Sequence, residues 1–436
     1  MRFGLFLFFF FWFSLTAKAQ FKTEIVEVDS AFSKTSVNTT IFRCNALTSL
    51  GDTQFIAFYD PEGYLVLGKR CLKPKNKKQE RFVLKRSRYR IFNKTDAHNV
   101  ISIVLDGKGY LHVAFDHHNS PLKYCKSVAP FSLELGKLQS MIPDDIFETE
   151  KKVTYPEFYS FKNGDLFFVY RCNNNIVMNR YLVEEGKWIR VWNNIFENQI
   201  FLRPYWQIYV DNRDIIHVSW LWRENAYDPQ TNKNLYYICS KDYGKTWLNE
   251  RGDTLGNYFR RVDTKPIMEI ERNSNFINQT SMASDINGRP YIATYFRKDS
   301  ITNYHIIYYD GEKFRDITLG NRKEDFSLSG MGTLYIPISR PKILVGKKMI
   351  YFLFRDEDLG SKVSLYYSKL EADKPLNFKL VNLTKDSYQA WEPAVDIDLW
   401  KSSERLDIFL QKTYQISNEK ISDEKPTMVK VLTLKK

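Results

Sequence analysis

Histidine is scarce in this chain of 436 residues, with six copies in all. Four of them, His98, His112, His117 and His118, fall in one 21-residue stretch. The segment DAHNVISIVLDGKGYLHVAFDHHNSPLKYCKS carries two apolar-rich runs around a glycine-containing turn, the pattern of two antiparallel strands. His112 lies inside the second run, where packing is its expected role. His98 sits in a loop with Asp96 and Asn99 before the first run, and His117 and His118 close the second together with Asn119. These loops fall at the same end of adjacent strands, so His98 and His118 are predicted to meet. Imidazoles titrate near neutrality and can move protons or bind metals. A metal set would draw on His98, His117, His118 and Cys125, yet no HExxH or CxxC spacing supports one. Spacing alone leaves a packed cluster and a structural metal site open as alternatives.

A second pair follows in VTYPEFYSFKNGDLFFVYRCNN (153–174). Tyr155 precedes Pro156 at the start of one run, and Arg171 ends the next. If the two runs form a hairpin, Arg171, sixteen positions on, returns to the level of Tyr155. A guanidinium beside a phenol favours the phenolate and lowers a pKa that is ordinarily about 10. The alternative is a surface stack of the two side chains.

Positioning these groups falls to a repeat. A turn with Asp, Asn or Gly, then alternating apolar residues ending in an aromatic and a charge, recurs seven times: at 49–60, 105–116, 161–171, 210–223, 285–297, 344–356 and 402–412. A second strand follows several copies, as in LVLGKR (65–70), NLYYICS (234–240) and YHIIYYD (304–310). Units with room for four strands each predict an all-β seven-bladed β-propeller spanning 20–436, with the last copy closed by N-terminal sequence. No amphipathic helix is expected to interrupt it. Ser240-Lys241-Asp242-Tyr243-Gly244-Lys245-Thr246-Trp247 fits the S-x-D-x-G-x-T-W Asp-box, a structural turn that supports a propeller and says little about activity.

The net charge is +13, and 43% of residues are hydrophobic, which supplies a core and excludes disorder as the main description. Residues 1–19 combine Arg2, an apolar run and Ala17-Lys18-Ala19, the pattern of a signal peptide cleaved before Gln20. The expected product is secreted or periplasmic, with no stable membrane insertion, and keeps a charge of +11 once Arg2 and Lys18 are removed. A basic exported protein suits a polyanion. No basic motif with interleaved aromatics points to nucleic acid. The five widely spaced cysteines, Cys44, Cys71, Cys125, Cys172 and Cys239, do not describe a disulfide scaffold.

The stretches DAHN, FDHHNSPLKY, TYPEF, VYR, the Asp-box and SGMGTLYIPISRP (329–341) resemble the bacterial-neuraminidase-repeat propellers that include ulvan lyases. The resemblance covers roughly 40–400. It implies a seven-bladed propeller, β-elimination on a uronate, and a catalytic set matching His98, His118, Tyr155 and Arg171. No cofactor is then required for catalysis, although some members carry a structural metal. In that chemistry Arg171 neutralises the carboxylate, Tyr155 transfers a proton as base, acid or both, and His98 serves as complementary base or helps neutralise. His118 orients or shares that role. His117, Asn119, Tyr205, Trp206, Trp220 and Arg223 are the expected substrate contacts, with Trp222 a further sugar platform. The expected partner is an acidic, sulfated or uronate-rich polysaccharide, met by a monomer. A sialidase shares the Asp-box but has no use for the histidine cluster, and a propeller that only binds carbohydrate is the other rival.

Overall fold

The turn–strand phrases become the second strands of seven antiparallel sheets: Thr53–Tyr59, Leu111–Phe115, Leu166–Cys172, Ile216–Arg223, Pro290–Lys298, Met349–Phe354 and Leu406–Gln411. Their turns are tied by aspartates. Asp106 Oδ1 accepts the backbone N–H of Lys108 and Tyr110, and Asp211 Oδ1 accepts those of Arg213 and Ile215, all within 2.8–2.9 Å. A carboxylate that caps its own turn fixes where each strand begins. The computed structural model describes residues 21–435 apart from 41–44, 76–79, 198–201, 279–280, 331, 372–373 and 419. The expected signal segment, Gln20, Cys44 and Met331 lie outside the described residues.

The seven sheets form a ring, a seven-bladed β-propeller. The last blade is composite. Its outermost strand is the N-terminal Lys22–Ala31, paired antiparallel with Thr427–Lys435 from Lys22↔Lys435 to Ala31↔Thr427. This pairing closes the ring and covers an edge that would otherwise be open. Faces of adjacent blades bury each other, so the second strand of blade 4, Ile216–Arg223, is buried at every position rather than on one face. At the turns of blades 2 and 3 the backbones touch: Gly107 N–H donates to Gly164 O at 3.0 Å, and a Cβ on Gly107 would lie 2.6 Å from the Gly164 Cα. Only glycine allows that approach.

The Asp-box behaves as a structural turn. Asp242 accepts from the Thr246 backbone N–H and the Ser240 and Thr246 hydroxyls at 2.7–2.9 Å, and Trp247 is fully buried. Cys125, Cys172 and Cys239 are buried strand residues, Cys71 is half-buried, and all four are unbridged. One expectation is corrected. A helix, α1 (Ile397–Ser403), does interrupt the last blade, capped by the Asp396 carboxylate on the Leu399 N–H and anchored by buried Leu399 and Trp400. Asp398 accepts from Thr48 of blade 1 at 2.7 Å and from Ser160 of blade 3 at 2.5 Å, and Lys401 donates to Ser160 O. The helix therefore sits at the late ends of the innermost strands. Seven residues is too short for the periodicity that would have revealed it.

His112 packs as expected: fully buried, it lies 3.2 Å from Asp106 Oδ2 and 2.8 Å from the Tyr124 phenol. His112→Asn should lower stability by about 1–3 kcal/mol, because it strands buried polar partners. The check is a lower denaturant midpoint at unchanged slope; an unchanged midpoint would remove His112 from the core's energetics.

Candidate active site

Asp96 is the hub of the histidine cluster. Its Oδ1 accepts the His98 backbone N–H at 3.0 Å and lies 2.6 Å from His98 Nδ1, while Oδ2 lies 2.5 Å from His118 Nδ1. The two imidazoles stack, with centroids 4.1 Å apart and planes within 16°. One carboxylate thus sets the orientation of both rings, and proton exchange with a ligand falls to Nε2 of each. Burial opposes ionisation of Asp96, but the hydrogen bonds from His118 and His98 outweigh it and hold the carboxyl far below the usual range. Burial is also the main influence on His98. With the neighbouring His118 and Arg171, it lowers that pKa despite the opposing pull of Asp96. His98 is an uncharged acceptor at neutral pH.

The innermost strand of blade 3, Val153–Ser160, brings in Tyr155. Thr154 pairs with Arg171 across the hairpin, and the register then slips between Thr154 and Glu157. Tyr155 occupies that bulge with φ 58, followed by Pro156, which cannot donate to a ladder. A bulky residue in left-handed backbone costs about 1–3 kcal/mol. The bulge turns Tyr155 into the cleft, 5.6 Å from His98 between ring centroids, with the Arg171 guanidinium carbon 4.6 Å above its ring.

Blade 4 supplies the facing wall. Arg203 and Tyr205 begin its innermost strand, Arg203–Val210, and Arg223 ends the neighbouring strand in register with Arg203. Arg223 donates to the Tyr205 phenol oxygen at 3.1 Å and to Asn232 and Asn278 at 2.9 Å. Burial alone would raise the Tyr205 pKa; the guanidiniums of Arg223, Arg171 and Arg203 outweigh it and lower it. His98, His118, Tyr155, Arg171, Tyr205 and Arg223 all line one cavity of about 380 Å³.

Five expected substrate contacts lie outside the cavity lining. Trp206, Trp220 and Trp222 are each 1% exposed and pack between blades, Trp220 stacked on Tyr236 at 5.1 Å. Their size and polarity suit a blade interface as well as a sugar face, and burial decides for the former. His117 is fully buried, with Nε2 accepting the Lys123 N–H at 2.7 Å. Successive residues of an extended segment point to opposite sides, so His118 in the cleft sends His117 away from it. Asn119 is exposed but lies outside the cavity lining. Its backbone N–H donates to Thr154 Oγ1 at 2.8 Å, tying the His118 segment to blade 3. Other lining residues went unforeseen: Arg203, Arg340 paired with Glu392, and the aromatics Tyr227 and Tyr335. Asp96 had a usable signal, since an Asp two residues before a His can cap the turn that holds it.

The four residues of the alternative metal set do not come together. His117 and Cys125 lie apart from the cleft, and burial pushes the Cys125 thiol up to about 12. Asp96, His98 and His118 do bring one ligand atom each within 4.8 Å of one another. Their N···O separations of 2.6 and 2.5 Å are those of charge-assisted hydrogen bonds. An ion bound about 2.0–2.2 Å from each atom would have to break both bonds, so the set as folded fits proton handling.

Seven sheets closed into a ring carry an arginine- and histidine-lined cleft at the early ends of the innermost strands. Residues 53–322 match the BNR repeat-containing family, and the chain belongs to that family. No curated protein matches it by sequence. Among solved structures, the polysaccharide lyase Uly1 is similar at TM-score 0.65 and 15% identity, over 91% of each chain. An ulvan lyase of family PL25, bound to -[GlcA(1-4)Rha3S]-, is similar at TM-score 0.63 and 12% identity, over 93% of this chain and 95% of that one. At these identities the likeness is one of fold.

Asp96→Asn tests the hub. The carboxylate opposes the depression of His98, so its loss should move the His98 pKa further down in an NMR titration. An upward shift would mean that Asp96 does not act on that ring.

Proposed function

We propose that this protein is an exported polysaccharide lyase that cleaves a uronate-containing acidic polysaccharide, ulvan-like in composition, by β-elimination. One observation carries the reading: two imidazoles, two phenols and three guanidiniums converge in one cleft, and among the described residues no carboxylate pairs with Arg171, Arg203 or Arg223. The family membership and the likeness in fold to polysaccharide lyases support it. The apolar segment 1–19 and the basic charge support export and a polyanionic substrate. No helix among the described residues is long and apolar enough to cross a membrane.

In this mechanism Arg171 binds the uronate carboxylate and stabilises the charge that grows on it as the C5 proton leaves. Uncharged His98, or a phenol depressed by arginines, takes that proton. The C5–H electron pair forms the C4=C5 bond as the C4–O4 bond breaks, and O4 departs with a proton from Tyr155. His118, locked by Asp96, positions His98 by stacking against it. Tyr205 is the second phenol able to serve, and the surrounding guanidiniums lower its pKa. No metal enters these steps.

Tyr155→Phe should lose about 10²–10⁴-fold in formation of ultraviolet-absorbing unsaturated uronate, with the fold intact by circular dichroism. Arg171→Lys should fail comparably, since a point charge cannot replace the fork. Near-normal rates in both variants would overturn the site assignment. Release of sialic acid without new absorbance would make the protein a sialidase, and binding without any product would make it a lectin-like propeller.

Dialysis against a chelator should leave turnover unchanged. Loss of activity restored by a divalent cation would reassign Asp96, His98 and His118 to metal ligation.

A further inference from the structure

The face opposite the cleft carries a groove that the mechanism does not use. It lies between blades 4 and 5 and encloses about 650 Å³. Four cations line it, Arg213, Lys241, Arg251 and Arg289, against two carboxylates, Glu250 and Glu312. The strands fix its position. The turns holding Arg213 and Arg289 follow the late ends of two innermost strands, Arg203–Val210 and Ser281–Ser284. Lys241 follows the third strand of blade 4, Asn232–Ser240, in the Asp-box turn.

These cations are weakly held. Arg213 reaches Asp211 Oδ2 at 3.3–3.4 Å, and that oxygen also lies 3.3 Å from both His217 Nε2 and Ser284 Oγ. Arg251 Nε lies 3.7 Å from Glu250. Arg289 and Lys241 are exposed, with no ion-pair partner among the described residues. Two glycines seat the arginines. A Cβ on Gly288 would fall on the Arg213 guanidinium, and one on Gly311 would lie 3.1 Å from Arg289 Nη2. The floor repeats an arrangement of blade 2 without its cover. Asp211, His217 and Tyr237 repeat Asp106, His112 and Tyr124, with His217 Nδ1 2.7 Å from the Tyr237 phenol. In blade 2, Trp188 donates to the Tyr124 phenol at 3.0 Å and meets its ring edge to face. In blade 4, Tyr237 lines the open groove.

Arg213 belongs to the turn between the first and second strands of blade 4, and Lys241 to the turn after the third. Two strand spacings, roughly 10 Å, separate those turns. Cations set out in a row suit a linear polyanion, whereas a single small ion needs them to converge. We infer that this groove is a second, non-catalytic site, which holds another stretch of the acidic polysaccharide and keeps the protein on its polymer between cleavages. The choice of ligand rests on the proposed function; the groove and its unmet charge do not.

The test measures retardation in gels that contain a sulfated uronate–rhamnose polymer, with Tyr155→Phe as the parent so that the polymer is not degraded. Adding Arg213→Gln and Arg289→Gln should weaken polymer binding about 3–10-fold, the effect of losing two exposed charge pairs. In the protein with Tyr155 intact, the same pair should lower kcat/KM on the long polymer through KM and leave it unchanged on a short oligosaccharide. Lys241→Gln with Arg251→Gln repeats the measurement if thermal melting shows that the first pair disturbs the fold. Lys73→Gln with Lys374→Gln removes as much charge from exposed sites outside the groove and should bind as the parent does. An equal loss in that control, no loss in the groove variants, or the same loss on the short oligosaccharide overturns the second site. A parent that the polymer does not retard overturns it as well. The lyase reading is decided separately, by whether the unmodified protein forms unsaturated product.

Discussion

The pairing of Lys22–Ala31 with Thr427–Lys435 is the contact on which the rest depends. Every cleft residue lies near the start of an innermost strand, at the end of the neighbouring one or in a loop beside it, and those strands have a common centre only when the ring is closed. The closure also builds part of the cleft wall. Ser36, just after the N-terminal strand, donates through its backbone and hydroxyl to Gln415 at 2.8 Å, and both residues line the cavity. A chain whose ends are zipped into one blade holds the first and last blades together and keeps the ring from splaying.

The two ends of the innermost strands serve different ends of the molecule. Tyr155 and Arg203 lie at the early end and face the cleft. Ser160 and Val210, five or more residues later and about 3.3 Å per residue away, meet α1 and its surroundings. There the polar groups satisfy one another: Asp396 accepts from Gln54 at 2.8 Å, and burial pushes its carboxyl up to about 7. At the cleft the polar groups are left for a ligand. Rigidity at one end and unmet charge at the other follow from the same strands.

Within the cleft, stability has been given up in two places. Tyr155 holds a left-handed backbone that ordinary packing would not select. Arg171, Arg203 and Arg223 crowd around one phenol, with no carboxylate paired to them among the described residues. Opposing these is the Asp96 carboxylate, which binds and orients two imidazoles, while burial and the neighbouring cations lower the His98 pKa against its pull. A group of this kind is set before substrate arrives, so little reorganisation is left for the reaction itself.

Much of this could be read from the chain. The seven turn–strand phrases announced the seven second strands, because an aspartate-capped turn and a following apolar strand are local features. The meeting of His98 with His118 and of Thr154–Tyr155 with Arg171 followed from hairpin arithmetic, which antiparallel pairing obeys. The sequence alone could not say which aromatics face solvent. Trp206, Trp220 and Trp222 are chemically fit for a sugar face, and only the stacking of blade on blade buried them. It could not separate His117 from His118, since that depends on which side of the strand end faces the cleft. Nor could it single out Arg203 among the many basic residues. Whether an arginine is neutralised depends on carboxylates tens or hundreds of residues away, as for Arg70 and Asp407, and only the closed ring decides which guanidiniums are left without one.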